Sequence, residues 1–156
     1  MSVRVVPKAL VGDSELAIVS QRIATPEHAC DNGACKSWSN PNVVNYLYVV
    51  FAEAANAQVP IGVLYAGGPL HSTVPSWWLD SQYRGKGLGS QTMDAFAEAL
   101  KARGVTGLGP ITIDTFAGKY HEQSCALARR LRSHFPCKDV RNQRPVAPIN
   151  SSDDPP

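Results

Sequence analysis

Residues 77–96 read WWLDSQYRGKGLGSQTMDAF, and two kinds of periodicity meet in this stretch. The apolar and aromatic residues up to Leu79 are typical of a strand, whereas the spacing of apolar residues from Met93 onward is that of a helix. Between them, glycines occupy positions 85, 87 and 89. Glycine loses more conformational freedom on folding than any other residue, so we expect the junction to gain something that offsets this cost.

The junction has the features of an anion-binding site. N–H groups at the start of a helix lack partners within the helix, and the helix dipole favours negative charge there. Residues 87–90 would supply these donors, and Arg84 and Lys86 would add positive charge. We therefore predict an anion site here, the alternative being a glycine-rich turn without a ligand.

Two common phosphate-binding motifs do not fit this loop. A Walker A loop requires GxxxxGK[ST], and no Lys-Ser or Lys-Thr pair closes the loop, which argues against nucleoside triphosphate hydrolysis. A dinucleotide fingerprint requires GxGxxG after the first strand, with an acidic residue about 20 positions later. Here the glycines give GxGxG in mid-chain, so both the spacing and the context differ.

The whole sequence predicts an α/β (α+β) domain whose first half is mostly antiparallel. Turn-like residues separate successive strand candidates, and short connections favour antiparallel neighbours. Residues 25–43 are rich in Pro, Asn, Asp, Gly and Ser and predict a long loop or irregular helix. The predicted strands are residues 3–6, 45–53, 59–66, 73–79 and 110–116, and the predicted helices are residues 13–24, a segment from the glycine loop to Gly104, and residues 121–131.

The length and the apolar content set the class of protein. The 156 residues predict one domain, 1–146, and a flexible tail, 147–156. No apolar run approaches the ~20 residues that span a bilayer and no apolar leader is visible, so we expect a cytoplasmic protein without membrane contact.

The four cysteines are then expected to be reduced. His28, Cys30 and Cys35 lie close together in sequence, but no second pair of ligands follows them. We therefore predict no metal site.

Charge is distributed unevenly along the chain. Residues 1–80 contain four Lys or Arg and six Asp or Glu, whereas residues 81–156 contain eleven and seven. The basic second half is compatible with an anionic ligand, although a mixed solvated surface would give the same counts. No basic run is interleaved with aromatic residues, so we expect no nucleic-acid partner.

The segment LDSQYRGKGLG, residues 79–89, closely resembles the acyl-CoA loop of the GNAT superfamily of N-acyltransferases. The signature of that loop is [QR]-x-x-G-x-[GA] after the fourth strand, and Arg84, Gly87 and Gly89 match it. The order of elements over residues 45–135 is also similar. The resemblance implies a central mixed, mostly antiparallel sheet whose fourth and fifth strands splay apart, flanked by helices.

The resemblance also implies that acetyl-CoA is the co-substrate and coenzyme A the product. The loop backbone would hold the pyrophosphate, and the fourth strand and the last helix would hold the pantetheine arm. The residues implied in cofactor binding are Leu79, Ser81, Arg84, Gly85, Lys86, Gly87, Leu88, Gly89, Ser90, His121 and Ser124.

In this family a primary amine attacks the acyl carbon directly, in a ternary complex. An ammonium group must lose a proton before it attacks, so a general base or a water chain to one is expected. The candidates are Glu53, Asp80, Asp114 and His71, and Asp114 is favoured because its strand is otherwise apolar. Each of these side chains has the alternative interpretation of a solvated or ion-paired surface group.

The chain departs from the family at one catalytic position. Many members protonate the departing thiolate from a tyrosine on the last helix, in a pattern like N-x-x-A-x-x-L-Y. Residues 121–128, HEQSCALA, put Ala128 where that tyrosine would stand, and we interpret Cys125 as a buried helix residue. The alternative function is therefore a non-catalytic acyl-CoA-binding or interaction module on the same fold.

Acceptor specificity in the family comes from the first helix, the following loop and the strand ends, here residues 20–45 and 68–80. The acidic first half favours a cationic amine, and three tryptophans at positions 38, 77 and 78 could line its pocket. Strand alternation, however, sends Trp77 and Trp78 to opposite faces. The expected partner is a small-molecule or protein amine, and a homodimer is left open.

Overall fold

The computed structural model describes residues 1–24, 33–83, 86–111 and 121–136, and helices cover both faces of its sheet. This arrangement confirms the predicted α/β class. The strands are β1 (Ser2–Pro7), β2 (Leu47–Ala54), β3 (Ala57–Gly67) and β4 (Val74–Leu79), and the helices are α1 (Asp13–Ala24), α2 (Gly33–Ser37), α3 (Leu88–Ala102) and α4 (His121–Ser133).

The four strands form one antiparallel sheet in the order β1-β2-β3-β4. A tight turn after Ala54 joins β2 to β3, which confirms the predicted hairpin. The register between these strands shifts between Val50 and Phe51, where Ile61 is an extra residue in β3. Such a bulge bends a strand and increases its twist. It lies beside the end of β4, because Gly62 pairs with Leu79.

A parallel bridge joins the start of β4 to the chain that follows α3. Thr73 pairs with Leu108, and the Thr73 N–H donates to the Gly107 carbonyl at 3.0 Å. The predicted fifth strand, residues 110–116, lies outside the described residues from 112 onward. The Thr73–Leu108 bridge is parallel and precedes the predicted strand, and the described residues 110–111 are not in a strand.

Side chains alternate between two cores, one on each face of the sheet. The larger core lies under α3 and α4 and includes Leu64, Leu79 and Phe96. The smaller core lies under α1 and α2 and includes Val63 and Trp78. Two-sided burial explains why the central strands read as nearly continuous apolar runs.

Helix α3 has the apolar face that its sequence predicts. The residues at i, i+3, i+4 and i+7 are all fully buried: Met93, Phe96, Ala97 and Leu100. The helix ends at Ala102 with Arg103 as its C-cap, and Gly104 then adopts φ +98° and donates its N–H to the Lys101 carbonyl. This is the glycine stop predicted for the helix.

None of the helices in the described ranges is long and apolar enough to cross a membrane. Within the same ranges, no three His, Cys, Asp or Glu side chains come together as a metal site would require. His28 and Cys30 lie outside the described residues. The tail, residues 147–156, also lies outside them.

Candidate active site

The candidate site begins where β4 ends, and Asp80 organises the chain there. The Asp80 N–H donates to the Ile61 carbonyl at 2.8 Å, at the bulge of β3. The Asp80 carboxylate accepts the Gln82 N–H at 3.1 Å, and the Asp80 carbonyl accepts the Tyr83 N–H at 3.0 Å. These bonds form a single 3-10 turn, Ser81–Tyr83, between the sheet and the glycine loop.

The Asp80 carboxylate is fully buried and forms an ion pair with Arg22 of α1 at 3.1 Å. The same Arg22 nitrogen donates to the Pro60 carbonyl of β3 at 3.1 Å. A buried carboxylate without a cation would cost several kcal/mol, so the Arg22 guanidinium offsets part of the cost of burying Asp80. Local sequence patterns do not indicate this contact, because the two residues are 58 positions apart.

The start of α3 is left open to a ligand. Gly87, its N-cap residue, adopts the left-handed conformation with φ +76°, and a Cβ added there would meet no atom within 4 Å. Gly87 has no side chain with which to cap the helix, and the first turn of the helix holds no acidic residue. The N–H groups of residues 88–90 stand at the positive end of the helix dipole, which is the kind of position that binds anions.

The loop that carries Gly87 also carries a positive charge. Lys86 is exposed, and its Nζ lies 5.7 Å from the centre of the Tyr83 ring. Arg22 approaches the same ring, with Cζ at 5.9 Å from the centre. Arg84 and Gly85, which the sequence also assigns to the cofactor, lie outside the described residues.

Helix α4 packs beside α3, so that both helices begin near the same end of the molecule. A Cβ placed on Gly89 would lie 3.0 Å from Leu127 Cδ2, so glycine is what allows the two helices to approach here. One to two turns on, Arg130 binds Asp94 through two nitrogens at 2.9 and 2.6 Å. Ser124 is half-buried on α4, one turn before Ala128.

The described residues among those predicted to bind the cofactor lie in three segments of the chain. Leu79 is at the end of β4 and Ser81 begins the turn that follows it. Helix α4 begins at His121. Ser124 is the second member on α4, and the start of α3 holds the other five described members, Lys86, Gly87, Leu88, Gly89 and Ser90.

The candidate general bases have different surroundings. Asp80 is buried in its ion pair, and Glu53 pairs with Arg4 of β1 at 2.7 Å. Glu53 is three residues past Val50 in β2 and pairs with Gln58, so it lies at the hairpin end of the sheet and away from the glycine loop. His71 is exposed before β4 begins, and Asp114 lies outside the described residues.

Ala128 is fully buried in the larger core, together with Cys125, a free thiol. The burial of Cys125 agrees with its interpretation as a helix core residue. The burial of Ala128 shows that this position packs inward with a small side chain.

The three tryptophans lie on two faces, and two of them belong to the core. Trp77 and Trp78 point to opposite cores, which confirms the expectation from strand alternation. Trp38 is buried, and the Lys8 ammonium lies 4.1 Å from its ring centre while donating to the Trp38 carbonyl. Burial lowers the pKa of Lys8. The Trp38 ring therefore already receives a cation from this chain, which argues against its binding the acceptor.

Cys35 of α2 corrects the expectation that all four cysteines are reduced. It is bonded in a disulfide whose other half lies outside the described residues. Cysteine spacing and the lack of a visible leader were the basis of the expectation, and neither reports which thiols come together in the fold.

Comparison with known proteins supports the family resemblance of the loop. The model of the Acetyltransferase (GNAT) family matches residues 26–131, which is more than half of the chain. No curated protein matches the sequence. The matched range includes the end of β4, the glycine loop and both helices that meet there. With its loop, its antiparallel sheet and this match, the chain belongs to the GNAT family of acetyltransferases.

Proposed function

We propose that this chain transfers an acetyl group from acetyl-CoA to a primary amine. The observation that carries the proposal is the start of α3, where a left-handed Gly87 leads into a helix that has no side-chain cap. An anion bound there would accept hydrogen bonds from the first N–H groups of the helix, which have no acceptor within the helix. Family membership supports acyl-CoA as the source of that anion, through its pyrophosphate.

The chain would promote the reaction by holding acetyl-CoA and the acceptor amine in position. The backbone of residues 84–90 would hold the pyrophosphate, and Leu79 and Ser81 would bond the pantetheine arm along the end of β4. The arm delivers an activated acyl carbon, and a strand N–H would polarise its carbonyl. Holding both reactants in place converts a bimolecular step into one that is effectively unimolecular.

The acceptor amine would attack directly, after losing a proton to a base or to water. Asp114 remains the favoured base, because Asp80 and Glu53 are already held by arginines. With Ala128 at the tyrosine position, water would protonate the departing thiolate. The acceptor would be a cationic amine, given the acidic first half of the chain.

The test is release of free thiol from acetyl-CoA in the presence of a panel of amines that includes polyamines, aminoglycosides and lysine peptides. We expect amine-dependent release with at least one class. Coenzyme A at a hundred times its Kd should raise Tm by roughly 5–10 °C. If acetyl-CoA gives no free thiol with any amine and coenzyme A does not raise Tm, the proposal is wrong.

Gly87→Glu links this result to the loop. A carboxylate at Gly87 would place negative charge and bulk where the pyrophosphate should lie, and we expect stabilisation by coenzyme A to disappear. Gly104→Glu is the matched control, because Gly104 has a similar positive φ at the opposite end of α3. Unchanged cofactor affinity in Gly87→Glu would contradict the loop assignment.

The second candidate function is a non-catalytic acyl-CoA-binding module, and the burial of Ala128 favours it. An alanine packed in the core supplies no proton for a thiolate. Stabilisation by coenzyme A without thiol release on any amine would select this function over the transferase.

A further inference from the structure

We propose that Arg22 is a positioning residue for the acyl-CoA loop, acting through its ion pair with Asp80. The proposal rests on the proposed function, since it concerns how the same loop is held. Arg22 lies in the last turn of α1, on the face of the sheet opposite α3 and α4. Arg22 would therefore hold the loop from α1, a helix on which none of the predicted cofactor-binding residues lies.

The first step of the argument is that Arg22 spans two strands at the place where the loop begins. One nitrogen donates to the Pro60 carbonyl of β3 and to the Asp80 carboxylate after β4, both at 3.1 Å. The Arg22 side chain is about three-quarters buried and the Asp80 side chain is fully buried. Bonds to buried charged groups are stronger than those at the surface and are costly to break.

The second step is that Asp80 transmits this position to the loop. Its carboxylate accepts the Gln82 N–H and its carbonyl accepts the Tyr83 N–H, so the 3-10 turn is bonded to Asp80 at both points. Tyr83 also contacts two cations, Arg22 and Lys86, with its ring. Movement of Asp80 would therefore move the turn that leads into Gly87.

The third step concerns charge. Arg22 neutralises a carboxylate that stands just before a proposed pyrophosphate site. Without Arg22, Asp80 would lose this positive charge, and it would either move toward solvent or keep more of its negative charge next to the loop. The first outcome releases the turn and the second repels the cofactor, so both weaken binding.

The test compares Arg22→Met with Arg103→Met. Arg103 is a matched control, because it donates to another β3 carbonyl, Ala66, at 2.8 Å and also contacts tyrosine rings. It stands at the far end of α3, beside Gly104. Both variants lose a comparable set of contacts, but only the contacts of Arg22 involve the segment that leads into the loop.

Two measurements are made well below the Tm of each variant. The first is the Kd for coenzyme A by calorimetry, which we expect to rise about tenfold in Arg22→Met and to stay within about twofold in Arg103→Met. The second is amide hydrogen exchange in the peptide that contains residues 80–90. We expect faster exchange there in Arg22→Met alone, because the bonds of Gln82 and Tyr83 to Asp80 loosen.

Two further variants separate positioning from a general loss of stability. Arg22→Lys keeps the charge and should restore part of the affinity. Asp80→Asn keeps the shape and should weaken binding less than Arg22→Met does, and the double variant should be no weaker than Arg22→Met alone. Additive losses in the double variant would overturn the proposal.

The remaining outcomes are equally decisive. Equal effects of Arg22→Met and Arg103→Met, on affinity or on exchange, would assign Arg22 to general stability and overturn the proposal. If the unmodified protein binds no coenzyme A, the proposed function is wrong. The amide exchange measurement then tests by itself whether Arg22 positions the loop. Faster amide exchange confined to Arg22→Met would then still show that Arg22 holds the 3-10 turn in place. Unchanged exchange in Arg22→Met would overturn the positioning role.

Discussion

Gly62 of β3 lies directly opposite Leu79 of β4, and no larger residue fits between them. A Cβ on Gly62 would overlap the Trp78 carbonyl oxygen and would stand 2.6 Å from Leu79 Cδ2. Since one of these obstacles is backbone, a rotamer change cannot relieve the contact. The last residues of β4, which lead into the loop, therefore depend on a glycine in the neighbouring strand.

We expect Gly62→Ala to destabilise the fold by roughly 1–3 kcal/mol, because β4 must shift away from β3 to make room. The same shift should weaken coenzyme A binding. Urea unfolding and calorimetry measure the two effects.

Gly67→Ala is the matched control for Gly62→Ala. Gly67 lies in the same strand, and the atoms that a Cβ would meet there all belong to the Tyr65 side chain. That side chain can rotate, so we expect a smaller loss and no change in cofactor affinity. Equal losses in the two variants would show that the backbone of β4 is not held by Gly62.

A second prediction concerns the contact between α3 and α4. Gly89→Val would place branched carbons against Leu127, whose Cδ2 stands only 3.0 Å from the position of a Cβ. We expect a loss of roughly 1–3 kcal/mol in the free energy of unfolding. Leu127→Ala made in the same chain should remove much of that loss, because the two side chains compete for one space.

A double-mutant cycle by urea unfolding checks the Gly89 prediction. If the losses from Gly89→Val and Leu127→Ala add, the two residues do not share a space and the packing described for α3 and α4 is wrong at this point.

The sequence predicted helices and strands well where periodicity was strong. The bounds predicted for α1, residues 13–24, are those observed, and the predicted face of α3 is fully buried. Strand bounds differ by one or two residues, as hydrogen bonding extends β3 from 59–66 to Ala57–Gly67. The spacing of apolar residues is enough to predict these elements, because each of them buries a face that its own sequence specifies.

The sequence was less informative where contacts join distant segments. The loop predicted over residues 25–43 contains α2, too short to have a clear period, and a 3-10 segment that begins at Pro41. The glycine loop was recognised from its own residues, but the pairing of Arg22 with Asp80 was not. The sequence around an arginine in an amphipathic helix does not indicate with which carboxylate it forms an ion pair, since tertiary packing decides that.

A third prediction concerns pH and the contact of α3 with α4. Hydrogen bonds from Arg130 and then from His134 hold the pKa of Asp94 well below its ordinary value. Because the pKa is lower in the folded protein, the stabilisation is complete above the pKa of the unfolded state, about 4. It is lost as pH falls from there toward the folded pKa.

We therefore expect Asp94→Asn to lower Tm at pH 7 by at most about 3 °C, since all three side chains are partly solvated. The difference from the unmodified protein should narrow steadily below pH 4. Glu98→Gln is the control, an exposed carboxylate one turn further along α3. A gap that stays constant from pH 7 to pH 3 would mean that Asp94 contributes by packing and not by charge.

The last prediction concerns the position at which related enzymes carry a tyrosine. Ala128 is fully buried under the sheet, so a phenol there would have to displace core side chains. We expect Ala128→Tyr to destabilise the fold by roughly 1–3 kcal/mol or more, without gain in thiol release. Ala126→Tyr is the control, because Ala126 is exposed on the same helix and should tolerate the change. Thermal unfolding and the thiol assay are measured on both variants. A stable Ala128→Tyr protein with faster acetyl transfer would instead mean that this part of the core opens toward the thiolate, and that alanine had limited the reaction.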